Sequence, residues 1–487
     1  MTDSANAPTT LSPPTKKPHV GIWLLMVGVV IMLAGVLFGY DQGVISGALE
    51  GIQNSFHVST FTTEIITSWV TLGALFGALF AGSMADRLGR RITIILAALL
   101  FTMGALLEAI APGTSVLVIG RLVVGFGVGV ASVAAPLYAA EHAPSHLRGR
   151  FVSTYQLSIT IGIFIAYIVD QALTNDDHWR LMLGVSAVPA VLLLIVIFPM
   201  PDTPRWLMKM NRRADAKKSL TKIRPDVDAD AALDEIEEAA RQEDENRASW
   251  AEVFSKRVRK PLMVGIGLAV FQQITGINAI IYYADKIFAS AGFSTPADQA
   301  SASTWAIGAV NVLATLIAVA YVDRFGRRPL LFAGLVGMGV SLTVVGIAFQ
   351  FMDGADTSGN TTTGPTTAGL VTLVALVVFI ASFAFSLGPV VWTVISEIFP
   401  TRVRGRAMAV ATAVNWGAAW LVSQFFLTLV DSIGSSATFW LFAAFAAIAY
   451  VWIWKRVPET KGRTLEEIEQ VWDSVDPVQA QRDAGTL

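Results

Sequence analysis

The chain has 487 residues, 54% of them hydrophobic and only 15% charged, with a mean hydropathy of +0.58; soluble domains carry about 25% charged residues, so this composition is that of a membrane protein. The formal charge of −2, from 35 Lys and Arg against 37 Asp and Glu, leaves no basic excess for nucleic acid. Cysteine is absent and His19, His57, His142, His146 and His178 fall in a tail or at segment ends, which excludes disulfides, thiolate chemistry and the usual ligands of a buried metal or haem, so no metal or cofactor is expected.

Residues 1–20, rich in Thr, Ser and Pro, read as a disordered tail. The apolar stretch that follows is too long for a signal-peptide core and is expected to be a retained span. A membrane helix needs about 20 mostly apolar residues, and that ruler yields spans at 21–49, 63–84, 92–111, 115–139, 151–173, 180–200, 261–289, 302–322, 329–352, 367–395, 404–430 and 437–455. All basic residues except Arg121, Arg180 and Lys286 lie in the tails or in the loops after even-numbered spans, so those loops and both termini are expected in the cytoplasm. Residues 201–260, charged and helix-prone, separate an N-terminal bundle (21–200) from a C-terminal bundle (261–456), and 457–487 form a second cytoplasmic tail. The linker reads either as a solvated helical spacer or as a docking surface for a regulator.

Two motifs recur at matched positions. Asp86-Arg87-Leu-Gly-Arg90-Arg91 follows span 2 and Asp323-Arg324-Phe-Gly-Arg327-Arg328 follows span 8. Glu141 with Arg148 and Arg150 follows span 4, and Glu397 with Arg404 and Arg406 follows span 10. One copy would be a topological anchor; four matched copies indicate an internal duplication, the symmetry with which transporters build a site between halves. Both signs of charge at neighbouring helix ends could form interhelical salt bridges that gate the cytoplasmic face.

A charge at bilayer depth costs at least about 2.5–3.5 kcal/mol and needs a partner. At about 1.5 Å per residue, Asp41 in span 1 and Arg121 in span 4 each lie about 30 Å from the same face, so the two are expected to pair. A structural salt bridge and a protonation-dependent coupling pair both fit this placement. Gln272, Gln273, Asn311, Asn415 and Trp416 fall near the midplane; amides replace the water of a polyhydroxylated ligand well, because each both donates and accepts. Interhelical hydrogen bonding is the plainer reading of any one amide. On an ideal helix Gln273 and Asn278 stand about 140° apart, so span 7 is expected to bend or unwind at Gly276 if they share a cavity, and Pro389 is expected to loosen span 10.

The repeated Asp-Arg-x-Gly-Arg-Arg resembles the signature loop of the major facilitator superfamily. Gly39-Tyr-Asp-Gln-Gly-Val-Ile-Ser-Gly47, Gly120-Arg121, Pro201-Asp-Thr-Pro-Arg-Trp-Leu207, Gln272-Gln273 with Gly276-Ile-Asn278, and Pro458-Glu-Thr-Lys-Gly462 resemble the sugar porter branch, with Gln42 where Thr is common and Asp202-Thr203 where Glu-Ser is common. The resemblance implies an all-α integral membrane protein of twelve helices in two pseudo-symmetric six-helix bundles. It implies substrate-binding roles for Gln156, Gln272, Gln273, Asn278, Trp392, Asn415 and Trp416, with Asn311 a weaker candidate and Tyr282 and Tyr283 an outer gate. It also implies proton coupling through Asp41 and Arg121, since passive members usually carry Asn at the first position.

The expected function is proton-coupled symport of a monosaccharide or cyclic polyol by alternating access, in a monomer surrounded by lipid in a bacterial inner membrane. A passive uniporter and a transporter-like sensor are the rivals. An intramembrane enzyme is disfavoured, because the spans show no Cys, no His and no paired acids at one depth.

Overall fold

The computed structural model describes residues 21–174, 178–245, 249–355, 366–463 and, beyond them, 467, 468, 471, 472, 478 and 481; most of both expected tails therefore lies outside the described residues. Among the described residues, twelve helices are long and apolar enough to cross a membrane. They are span 1 (Ile22–Phe56), span 2 (Thr60–Leu88), span 3 (Arg90–Ala109), span 4 (Thr114–His142), span 5 (Gly149–Leu173), span 6 (Trp179–Ile197), span 7 (Arg259–Tyr282), span 8 (Pro296–Tyr321), span 9 (Arg327–Met352), span 10 (Thr367–Ile398), span 11 (Arg404–Ile433) and span 12 (Ser435–Arg456). Several outrun their apolar cores: span 1 continues past Glu50 and Gln53 to Phe56, because backbone hydrogen bonding does not stop where hydrophobicity does.

In lipid no hydrophobic force drives one apolar helix onto another, so close backbone approach holds the bundles together. Gly35, Gly39, Gly43 and Gly47 recur every fourth residue on the face of span 1 that meets span 5; a Cβ at Gly39 would strike the Ile159 carbonyl, and one at Gly43 would lie 2.7 Å from the Ala166 Cβ. The C-terminal bundle is less regular. Span 7 breaks after Ile274 and resumes at Ile277, span 8 turns π-helical over Ser303–Ala309 between two α-helical stretches, and span 10 breaks at Ser386, three residues before Pro389.

Between the bundles the chain forms helices Pro204–Lys209, Arg213–Ile223, Ala229–Glu245 and Trp250–Val253. Trp206, Leu207, Ala216, Leu220 and Leu233 give this segment its own small apolar core. Exposed pairs Arg213–Asp234 and Lys217–Asp230, both at 2.6 Å, hold its longest helix down.

The two bundles meet most closely at the face opposite the motif loops, called here the far face. Tyr167 OH donates to the Ile281 carbonyl (2.8 Å) and Thr304 Oγ1 to the Tyr167 carbonyl (3.0 Å). The Asp285 backbone N–H donates to Ser46 Oγ (3.0 Å), and Lys286 Nζ to Gln53 Oε1 (2.7 Å). From span 2, Ser68 Oγ donates to Gln424 Oε1 (2.7 Å), while Glu64 accepts from both the backbone N–H and the hydroxyl of Thr428, each at 2.7 Å. Tyr40, Ile45, Tyr167, Ile277, Ile280 and Tyr282 continue one apolar core across this seam.

Candidate functional site

Four amides converge where span 7 is broken. Thr275 closes the lower helix and Gly276 takes φ +94°, a left-handed conformation that costs a residue with a Cβ but not glycine. This turn re-aims the next helix, so that Asn278 Nδ2 reaches Gln273 Oε1 at 2.8 Å. Gln273 Nε2 donates to Asn415 Oδ1 (3.2 Å), and Asn415 Nδ2 to Gln272 Oε1 (2.8 Å) and the Ala269 carbonyl (3.1 Å). Gln272 Nε2 in turn donates to the Leu387 carbonyl (2.8 Å) at the break in span 10. The arrangement is a nearly closed amide ring joining spans 7, 10 and 11. Such a ring supplies its own donors and acceptors, and each amide can exchange a partner for a hydroxyl without burying a charge.

Trp416 packs against Phe38 of span 1, ring centroids 5.3 Å apart, while Trp392 and Gln156 are half-buried on either side of the seam. Asn311 is buried on span 8 but is not among the hydrogen-bonded members of the ring. Tyr283 OH donates to the Ser423 carbonyl (2.9 Å) and its ring stacks on Phe426. Tyr282 hydrogen-bonds Gln42 and lies within electrostatic reach of Asp41 and Arg121.

The second constellation is charged. Arg121 Nη1 lies 2.6 Å from Asp41 Oδ1, and Arg121 Nε donates to the Ile66 carbonyl at 3.1 Å. Arg121 is 0% and Asp41 3% exposed. A second acid, Glu108 of span 3, stands 3.8 Å from Arg121 Nη1. Elsewhere Asp170 of span 5 accepts from the Gly47 N–H at 3.3 Å, and Asp285, beyond the end of span 7, accepts from Ser303 Oγ. The expectation that the spans hold no paired acids at one depth is therefore corrected. Glu108 lies about 27 Å above Arg90 by the same rise, close to the depth of Asp41 and Arg121.

The motif loops form a third constellation, duplicated in detail. Arg90 Nη2 pairs with Glu141 (3.0 Å) and Arg327 Nη2 with Glu397 (2.9 Å). Thr203 Oγ1 bonds Glu141 and Thr460 Oγ1 bonds Glu397, both at 2.5 Å. Asp202 accepts from the backbone N–H groups of Arg90 (3.0 Å) and Arg91 (3.3 Å); Glu459 accepts from those of Arg327 and Arg328, both at 3.0 Å. Spans 3 and 9 begin behind Gly89 and Gly326, which carry no side-chain oxygen, and each receives its N-terminal cap from a carboxylate far along the chain. Burial raises the Asp202 carboxyl above its ordinary range, while these backbone donors and Arg90 pull it down.

The pairs Arg90–Glu141 and Arg327–Glu397 join spans 3 and 4 and spans 9 and 10, each within one bundle, because the acid and the arginine of each motif set lie in the same half. Asp86 adds a 3.4 Å contact to Arg90, and Arg87 and Arg150 are exposed. Arg324 lies over the Tyr321 ring, Arg404 donates to the Phe399 carbonyl and Arg406 lies over the Trp250 ring. The side chains of Arg148 and Asp323 lie outside the described residues. The pairing of Asp202 with Glu459 as a third repeat was readable in advance, since Pro201-Asp-Thr and Pro458-Glu-Thr stand at corresponding places.

Residues 27–472 match the family described as sugar (and other) transporter. The chain is 40% identical to the galactose-proton symporter of Escherichia coli over 440 residues, 90% of this chain and 92% of that protein. An inward open conformation of the xylose transporter XylE from E. coli superposes with a TM-score of 0.77 at 31% identity, covering 92% of this chain and all of that one. XylE bound to 6-bromo-6-deoxy-D-glucose gives 0.73 at 31% identity, covering 93% and 100%.

Proposed function

The chain belongs to the sugar transporter family of the major facilitator superfamily, an integral multi-pass membrane protein that moves sugar, and from that premise we propose that it is a proton symporter for a monosaccharide or cyclic polyol. The observation that carries this reading is the short helix Ile277–Tyr282. One of its ends bears Asn278, bonded into the amide ring, and the other bears Tyr282, hydrogen-bonded to Gln42 and within electrostatic reach of the Asp41–Arg121 pair. A sugar that takes hydrogen bonds from the ring displaces one end of this helix; protonation that loosens Asp41 from Arg121 frees the other. Because the helix lies on the seam, both events bear on whether the far face opens.

In this reading Gln272, Gln273, Asn278 and Asn415 bind the hydroxyls, Gln156 completes the cavity from the N-terminal bundle, and Trp392 and Trp416 support the apolar face of the ring. Tyr282 and Tyr283 close the far side. The sealed far face, together with the higher likeness to the inward open relative, supports a state facing the motif loops. We place those loops and both termini in the cytoplasm of a bacterial inner membrane, with the monomer as the working unit.

The test is uptake in proteoliposomes of radiolabelled D-galactose, D-xylose, D-glucose, L-arabinose and myo-inositol, with and without an imposed pH gradient. Accumulation that requires the gradient, and its loss with retained equilibrium exchange in Asp41→Asn, is expected. Equilibration of a sugar without accumulation under any gradient would mark a uniporter instead.

A further inference from the structure

We propose that Glu108 is a second counter-ion for Arg121, receiving the guanidinium when Asp41 takes up its proton; this deepens, and rests on, the reading of Asp41 as the coupling acid. Two acids share one base in a place from which water is excluded, since Glu108 is 1%, Asp41 3% and Arg121 0% exposed. Asp41 holds Arg121 Nη1 at 2.6 Å, whereas Glu108 Oε1 waits at 3.8 Å. Among the described residues, neither Glu108 Oε1 nor Arg121 Nη2 finds a hydrogen-bond partner. A buried donor and a buried acceptor left unmatched on two groups whose nearest atoms, Arg121 Nη1 and Glu108 Oε1, stand 3.8 Å apart mark an alternative pairing more readily than a finished structural bridge.

The local backbone makes room for it. Gly120 precedes Arg121, and a Cβ there would lie 2.7 Å from the Glu108 Cγ, so the missing side chain lets Glu108 lie along span 4 beside the guanidinium. The titratable groups facing this acid are Arg121 from span 4 and Asp41 from span 1, and Tyr282 from span 7 faces Arg121. From span 2 comes the Ile66 carbonyl; from span 6, Arg180 turns away to the Ala111 carbonyl and the Trp179 ring.

The charge balance gives the device its purpose. Arginine stays protonated throughout, so a proton arriving on Asp41 would strand a bare guanidinium inside the membrane, an expensive state. With Glu108 ionised, the loaded cluster of neutral, protonated Asp41 with Arg121 and Glu108 has no net charge, and the unloaded one carries a single negative charge that attracts the next proton. One proton binds Asp41, the salt bridge to Asp41 breaks and the one to Glu108 forms; no other proton moves. Arg121 is thus a charge that changes partner within one bundle.

The experiment is Glu108→Gln in proteoliposomes, using whichever sugar of the panel above the native protein accumulates best, with initial concentrative uptake measured from external pH 5 to 8. The midpoint of the pH profile should move to the acid side by about one unit, as removal of a nearby anion dictates, with equilibrium exchange held within about twofold. Glu108→Asp keeps the charge at a shorter reach and should give a smaller shift in the same direction. A merely structural role would lower exchange and accumulation together and leave the midpoint in place. In either variant that folds, an unmoved midpoint overturns the proposal. Asp41→Asn run in parallel separates the two failures: pH-dependent accumulation persisting in that variant refutes the coupling reading itself, whereas its loss beside a native midpoint in Glu108→Gln refutes only the role of Glu108.

Discussion

Glu64 offers the sharpest handle on the equilibrium between the two faces. Its carboxylate on span 2 accepts two hydrogen bonds from Thr428 on span 11, one from the backbone N–H and one from the hydroxyl, both 2.7 Å long, and it is fully buried. Opening the far face would trade both for water, so their net worth is that of two bonds to an ionised group, about 1.5–3 kcal/mol each. Taking the lower figure for both, Glu64→Ala shifts the balance toward an open far face by about 3 kcal/mol, roughly a hundredfold, since 1.4 kcal/mol is a factor of ten. The chain contains no cysteine, and the Ser423 hydroxyl, fully buried beside the seam, has no hydrogen-bond partner among the described residues, so Ser423→Cys introduces a reporter without breaking a bond in them. The rate at which an impermeant maleimide labels that thiol from the far side should rise about a hundredfold in Glu64→Ala, or reach that of an exposed thiol. Glu64→Gln, keeping one acceptor, should give an intermediate rate. Equal labelling in all three backgrounds would show that these bonds do not hold the seam, and the reasoning would fail.

Three further outcomes are expected. Asp202→Ala removes the cap from span 3 and should destabilise the protein by about 1–2 kcal/mol, read as a lowered Tm in detergent, with Asp202→Asn losing less because one acceptor remains; an unchanged Tm for both would refute the capping role. Gly276→Leu must hold a Cβ at φ +94° and 2.7 Å from the Phe442 ring, a strain of about 1–3 kcal/mol; initial uptake should fall at least tenfold, and native uptake would show that the break in span 7 is dispensable. Gly39→Ala drives a methyl into the Ile159 carbonyl and should cost about 1–3 kcal/mol as overpacking between spans 1 and 5, measured as reduced Tm beside an unaffected Gly82→Ala control, where a Cβ meets nothing.

The one-dimensional features of this protein are legible in its sequence. Hydrocarbon thickness imposes a length on each span and a depth on each polar residue, and both are counted along the chain, so the twelve spans, the repeated motif loops and the equal depth of Asp41 and Arg121 could be read directly. The bend at Gly276 was legible for a similar reason: the angular separation of Gln273 and Asn278 on a straight helix conflicts with one cavity, and the only residue between them free of a Cβ is Gly276.

What tertiary structure decided is which helices are neighbours and how each is rotated about its axis. Depth alone put Glu108 level with Arg121, but only the packing of span 3 on span 4, with Gly120 between them, brought its carboxylate to 3.8 Å. Asp202 and Glu459 cap helices that begin 112 and 132 residues away in sequence, a relation that no local pattern encodes. The motif residues were foreseen as sources of interhelical salt bridges but not partner by partner, and the closed far face rests on Glu64, Ser68, Ser46 and Lys286, side chains that look like ordinary interfacial polar residues until the opposite bundle is set against them. A chain in lipid records its depth in its own hydrophobicity, whereas adjacency and rotation follow from the balance of many close contacts at once.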